Sequence, residues 1–189
     1  MTAALLLLLS LADQPPTKVP RIAKAAGITL GVTTFEQFQR DNGKGLTLAK
    51  LSKTGIAARF WYDADSKVLI QAESEYRSGQ NHVIDSLNVD FMDPSNASID
   101  GKRPPTIQLK KASLGLLSVL HAVMSRLEVV HATGSTIDSH EQSHAAGIVS
   151  YRPELRSAHM PAIHGFKSWR VRFDFGHDGL TGLKMWASE

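Results

Sequence analysis

Cysteine is absent from these 189 residues. That excludes disulfides, thiolate metal sites, a cysteine nucleophile and a lipobox-type acyl anchor, and it is compatible with either redox compartment. A strong charge imbalance is also missing: 21 Lys and Arg stand against 18 Asp and Glu, for a net +3. The basic residues are scattered, with small clusters at Lys102-Arg103 and Lys110-Lys111 and no aromatic residues interleaved. A nucleic-acid stacking platform needs that interleaving, so no nucleic-acid partner is expected. No apolar run reaches the roughly 20 residues that cross a bilayer, so no stable membrane span is expected. There is no Walker loop, no G-x-G-x-x-G and no G-x-S-x-G.

What is present is ordinary globular material, 42% hydrophobic and 21% charged, in a chain long enough for one large domain or two small ones. Ala3 to Ala12 is an apolar run with six Leu. It fits the h-region of a secretory signal, and Ser10-Leu11-Ala12 offers small residues ahead of a cut before Asp13, although Met1-Thr2 supplies no basic n-region. The expectation is export, to a periplasmic or secreted location. Pro15, Pro16 and Pro20 mark a linker. Residues 1–20 are thus expected to be signal and linker, 21–105 a first structural unit and 106–189 a second.

Two blocks follow one plan. In the first, Leu30-Gly31 leads to Thr33 and Glu36, which have capping-box spacing, and a short helix is expected to stop near Asn42-Gly43. Ala57 to Tyr62 and Val68 to Glu73 read as a hairpin around the turn residues Asp63 to Ser66. That turn explains Asp63 and Asp65, since no EF-hand spacing follows. Ser86 to Met92 alternates Leu87, Val89 and Phe91 with Asn88 and Asp90, the pattern of a half-buried strand. In the second block Leu114-Gly115 opens a stretch apolar nearly all round, which predicts a buried helix from 113 to about Val130 with Ser118, His121 and Ser125 packed on it. Trp169 to Phe175 and Leu180 to Trp186 read as a second hairpin across Gly176 to Gly179. Leu30 and Leu114 are 84 residues apart and Phe60 and Phe173 are 113 apart, so the second connection is longer by 29.

The Leu-Gly-x-Thr start of a helix, followed by Phe60-Trp61-Tyr62-Asp63-Ala64-Asp65 and a Val-rich return strand, resembles the small repeats of outer-membrane-assembly lipoproteins of the SmpA/OmlA kind. Tandem copies of that unit resemble the β-lactamase-inhibitor-protein fold. The resemblance spans about 27–92 and 113–187. It implies an exported binding or scaffold protein, not an enzyme. The chain departs from it in having no lipidated Cys and in carrying Leu117 where the second block should match Thr33.

The 29-residue excess holds His140-Glu141-Gln142-Ser143-His144. H-E-x-x-H on a helix sets two imidazoles on one face as zinc ligands and a Glu as general base on metal-bound water. His140 and His144 are therefore the candidate metal ligands and Glu141 the candidate catalytic residue. Seven of the eight His lie from His121 to His177, so non-catalytic metal binding is a further option. The surroundings oppose catalysis. Gly134 to Ser139 reads as a loop, Ser150 stands where an extended metzincin motif has its third His, and Gly147 and Pro153 disfavour a helix reaching Glu154. His159 and His164 remain as loop ligands. No cofactor is expected, with zinc the exception if the motif is real.

The expected fold class is α+β: two helix-plus-β-hairpin units forming an antiparallel sheet with helices packed on one face. The longest loop is expected at about 131–167. If both hairpins share the sheet, one set among Phe60, Trp61, Tyr62, Trp169, Phe173, Phe175 and Trp186 fills the core and the other lies on the opposite face. The primary functional expectation is binding of a protein partner on that open face. The alternative is a zinc-dependent hydrolase.

Overall fold

The computed structural model describes residues 24–48, 56–75, 83–133, 146–149 and 168–188. The first described elements are a two-strand ribbon, β1 (Lys24–Ala25) and β2 (Ile28–Thr29), and helix α1 (Phe35–Asn42). A meander follows of β3 (Ile56–Asp63), β4 (Val68–Glu75) and β5 (Ser86–Phe91), then the short β6 (Thr106–Ile107). Helix α2 (Arg126–Thr133) precedes a second meander of β7 (Ala146–Val149), β8 (Ser168–Gly176) and β9 (Gly179–Ser188). One sheet unites both meanders in the order β6-β3-β4-β5-β9-β8-β7. The fold is α+β, as the sequence predicts. The sheet is mixed rather than antiparallel throughout, because β6 runs parallel to β3 at one edge.

Alternation along the strands explains which face is buried. Trp61 pairs with Ile70, Ile70 with Val89, Val89 with Leu183 and Leu183 with Phe173, so one row of large apolar side chains crosses the sheet. All five are buried. Phe35 and Phe38 of α1 and Val129 of α2 join the same core. Phe38 meets Trp61 edge-on at 4.8 Å, and the Trp61 indole N–H donates to the Gly43 carbonyl at 3.0 Å. Truncating a side chain held this way typically costs about 3–5 kcal/mol.

α1 starts one residue later than the spacing suggests. Thr34, not Thr33, is the cap: its hydroxyl accepts the Gln37 N–H, and the Gln37 side chain accepts the Thr34 N–H. Thr33 is already committed to the preceding turn, where its hydroxyl accepts the Thr29 N–H at 2.9 Å. The helix ends at Asn42, and Gly43 follows at φ 79°.

The long helix expected from 113 to Val130 does not form. Two single 3-10 turns (Lys111–Ser113 and Leu116–Ser118) and an irregular stretch precede α2. The reason lies in the backbone. Gly115 sits at φ 58° against β1, where an added Cβ would be 2.3 Å from the Lys24 carbonyl oxygen. Further on, the Val123 N–H donates to the Leu180 carbonyl and the Leu180 N–H to the Met124 carbonyl. Groups that a helical ladder needs are bonded to the sheet instead. The apolar content is still buried through Leu116, Leu117, Leu120 and Met124. Ser118, His121 and Ser125, expected to pack on the helix, are exposed. Ser125 caps α2: its hydroxyl accepts the Glu128 N–H, and the Glu128 carboxylate accepts both the Ser125 N–H and hydroxyl.

The described residues of the stretch expected to be the longest loop, about 131–167, are structured. α2 continues to Thr133, and β7 adds an edge strand that pairs with β8 from Ala146↔Asp174 to Val149↔Val171.

Candidate binding face

Among the described residues, the second face of the sheet divides into a covered end and a middle on which no other element packs. At the β3 end, Ala58 and Phe60 are buried against Leu48, with Leu46 and Ile99 packed around them. Phe60 and Leu46 exchange backbone hydrogen bonds at 3.0 and 3.1 Å, and the Tyr62 hydroxyl donates to the Met92 carbonyl at 3.1 Å. From β4 to β8 the outward positions are Gln71 and Glu73, then Ser86, Asn88 and Asp90, then Gly182, Lys184 and Trp186, then Arg170, Arg172 and Asp174. Apart from the buried Gly182 these are half-buried residues, flanked by one another. Both described helices lie on the other side, in the core.

The aromatic face that the sequence suggests is therefore mostly covered. Trp61, Phe60, Tyr62 and Phe173 are buried. Phe175 is half-buried beneath the Arg126 guanidinium, 5.5 Å from its ring centre. Among those whose side chains are described, Trp186 is the aromatic residue of the open face, paired across the strands with Ser86 on one side and Arg170 on the other.

Charge is unevenly divided on this face. The β4–β5 half carries Glu73 and Asp90 and no cation. The β9–β8 half carries Lys184, Arg170 and Arg172 and one carboxylate, Asp174, which accepts a hydrogen bond from Arg172 Nη2 at 3.2 Å and lies within ion-pair distance of its Nε, which makes no hydrogen bond of its own. Gly182 pairs with both Asp90 and Asp174 and separates their strands. A Cβ there would lie 2.8 Å from Asp90 Oδ1 and 2.8 Å from the Val89 carbonyl oxygen, so the Asp90 carboxylate occupies the space a side chain would take. Burial raises the Asp90 pKa, and the Asp174 carboxylate adds to the rise while Arg172 opposes it. The Gln71 amide donates to the Glu73 carboxylate. The Ser86 hydroxyl, between Glu73 and Trp186, is buried with no hydrogen-bond partner.

Next to this face, Asp85 joins three strands. Its N–H donates to the Glu73 carbonyl, its carbonyl accepts the Ala187 N–H at 2.8 Å, and its carboxylate accepts the Glu75 N–H at 2.8 Å. Burial pushes its pKa up to about 6, with the Glu75 N–H opposing the rise and the Glu75 and Glu73 carboxylates adding to it.

His140, Glu141 and His144 lie outside the described residues, as do His159 and His164. Ala146 and Gly147, just after the motif, are in strand β7. Among the described residues no group of three or more His, Asp or Glu could hold a metal ion, and His121, His131 and His177 are exposed and apart. A cleft between α1 and residues 108–113 has a volume of about 290 Å³. Its polar groups serve the helix itself: Gln37 caps it, the Asn42 amide donates to the Phe38 carbonyl, and Arg40 pairs with Asp41 at 3.8 Å. No helix among the described residues is long and apolar enough to cross a membrane.

No family model, no curated protein and no solved structure matches the chain. The functional reading rests on the face itself. Its members were legible only in part: the polar phase of β5 marks Asn88 and Asp90 as outward, but nothing in the sequence brings Asp90 beside Gly182 and Asp174.

Proposed function

We propose that this protein is a non-enzymatic binding or scaffold module that engages a protein partner through the open face of β4, β5, β9 and β8. The observation that carries the reading is the row Glu73, Ser86, Trp186, Arg170: a half-buried Trp flanked by a basic and an acidic side, on strands held rigid by the core beneath. Trp and Arg are the residues that most often anchor interfaces, and rigid strands present them at little entropic cost. The repeated helix-plus-hairpin plan, α1 with β3–β4 and α2 with β8–β9, supports a tandem-unit origin for the sheet. The resemblance to the SmpA/OmlA repeats supports the same class. The apolar run Ala3 to Ala12 supports export to a periplasmic or secreted location.

Site-specific photo-crosslinking in the source cells tests the reading. A photoreactive residue replaces Lys184 on the face, or Lys111, which is exposed on the helix side of the molecule. The expected result is a crosslinked protein–protein adduct from position 184 that is absent from position 111 and lost with Trp186→Ala. Equal labelling from both positions, or none from 184, overturns it.

A further inference from the structure

We infer that the partner is a second copy of this chain, docked face to face about a two-fold axis that runs parallel to the strands between β5 and β9. The inference rests on the open-face reading above and names its partner. Homodimers are most often built on a two-fold, which requires a surface complementary to itself. This face meets that requirement in only one direction. Rotation about an in-plane axis parallel to the strands lays β4 on β8 and β5 on β9 while keeping each residue at its own height along the strands. Glu73 then faces Arg170 of the second copy, and Ser86 faces its Trp186. Asn88 faces Lys184, and Gln71 faces Arg172. Rotation about an in-plane axis across the strands lays β4 on β4 and β8 on β8, and sets like charges together.

The heights that make this work are fixed by the register. Glu73, Ser86, Trp186 and Arg170 form one continuous cross-strand row, and Gln71, Asn88, Lys184 and Arg172 form the next. Within one chain Glu73 and Arg170 are separated by β5 and β9, three strand spacings of about 4.8 Å, too far for an ion pair. Contact between them requires two chains.

The patch is small. Four strands and six residues of length span roughly 15–20 Å each way. That is less than the ~800 Å² per partner of a standard interface, so the dimer is a weak, transient one. Its charge pairs at the rim make it salt-sensitive.

Sedimentation velocity on the full chain between about 1 and 200 µM, at low and high salt, tests the inference. The wild type is expected to shift from monomer to dimer across that range and to shift less at high salt. Glu73→Arg alone and Arg170→Glu alone are expected to weaken dimerisation at least tenfold, and the double variant Glu73→Arg/Arg170→Glu to restore it. Circular dichroism checks that each variant is folded. A strict monomer at 200 µM overturns the inference, as does a dimer indifferent to both single variants or not rescued by the double. If the chain is monomeric yet Lys184 still crosslinks a different protein, the open-face reading stands and self-association falls. If position 184 gives no adduct either, both fall.

Discussion

Asp90 and Asp174 stand on strands that never pair with each other, yet both are aligned with Gly182 of the strand between them. The glycine is there because the Asp90 carboxylate and the Val89 carbonyl leave no room for a Cβ. Gly182→Ala forces a carboxylate and a backbone oxygen apart, and backbone in mid-sheet does not move freely. The expected loss is about 2 kcal/mol of unfolding free energy, in the range for overpacking a filled site. Urea denaturation measures it, and an unchanged midpoint contradicts the close approach.

Asp63 is a buried carboxylate with two structural duties. Oδ2 accepts the Ser66 N–H at 3.0 Å and closes the β3–β4 turn, while Oδ1 accepts the Leu109 N–H at 2.9 Å and ties the chain after β6 to the sheet. Asp63→Ala leaves both donors without their acceptor, at a cost of about 2–4 kcal/mol. Asp63→Asn keeps an acceptor for one donor and should cost roughly half as much. Equal losses in the two variants would mean that volume rather than hydrogen bonding is at stake.

The sequence makes the strands legible because a period of two survives in short segments such as Leu87-Asn88-Val89-Asp90-Phe91. It misplaces the α1 cap by one residue because Thr33 and Thr34 both fit the motif, and only the turn bond to Thr29 separates them. It fails between 113 and 125 because an all-apolar stretch says that it is buried but not in what shape. There the shape follows from contacts with Lys24 and Leu180, far away in the chain. The face suffers from the same limit. Which outward residues become neighbours depends on β5 pairing with β9, a contact between residues 92 to 100 positions apart that no local pattern announces.

The two threonines give a clean comparison. Thr34→Ala removes the α1 cap and is expected to cost about 1 kcal/mol. Gln37→Ala removes the reciprocal half of the box and should cost less. Glu36→Ala, the partner suggested by the Thr33 spacing, is expected to change stability by no more than about 0.5 kcal/mol, because Glu36 makes no capping bond. Chemical denaturation of the three variants checks the order, and a larger loss at Glu36 than at Gln37 reverses the assignment.

Asp85 makes stability depend on pH. Its pKa is raised in the folded chain, to about 6 from an ordinary 3.8, so the folded state binds its proton more tightly than the unfolded state. Well below pH 4 the group is protonated in both states and costs nothing. As pH rises through 4 to 6 the folded state carries an increasing penalty, bounded at about 3 kcal/mol by the size of the shift. Asn at this position keeps an acceptor for the Glu75 N–H and has no charge to bury. Asp85→Asn is therefore expected to gain stability relative to the wild type as pH rises from 4 to 7, with most of the gain complete by about pH 6. Urea unfolding of both proteins across that range measures the difference, and a constant difference across it removes Asp85 as the source.

The zinc motif can be decided separately from the face. A zincin helix carries both His on one face and extends beyond them, which fixes the second imidazole. Here strand β7 begins at Ala146, two residues after His144, with Ala146 opposite Asp174 and Gly147 opposite Phe173. Ala146 and Gly147, which would have to continue a helix toward a third ligand, are held in the sheet. The expected result of isothermal titration with zinc is the absence of a site tighter than about 1 µM, a figure set well short of the affinities of structural zinc sites. One tight site, lost in both His140→Ala and His144→Ala, would instead establish a metal centre. If Glu141→Gln then kept the metal but abolished peptide hydrolysis, the non-enzymatic reading would give way to a zinc hydrolase.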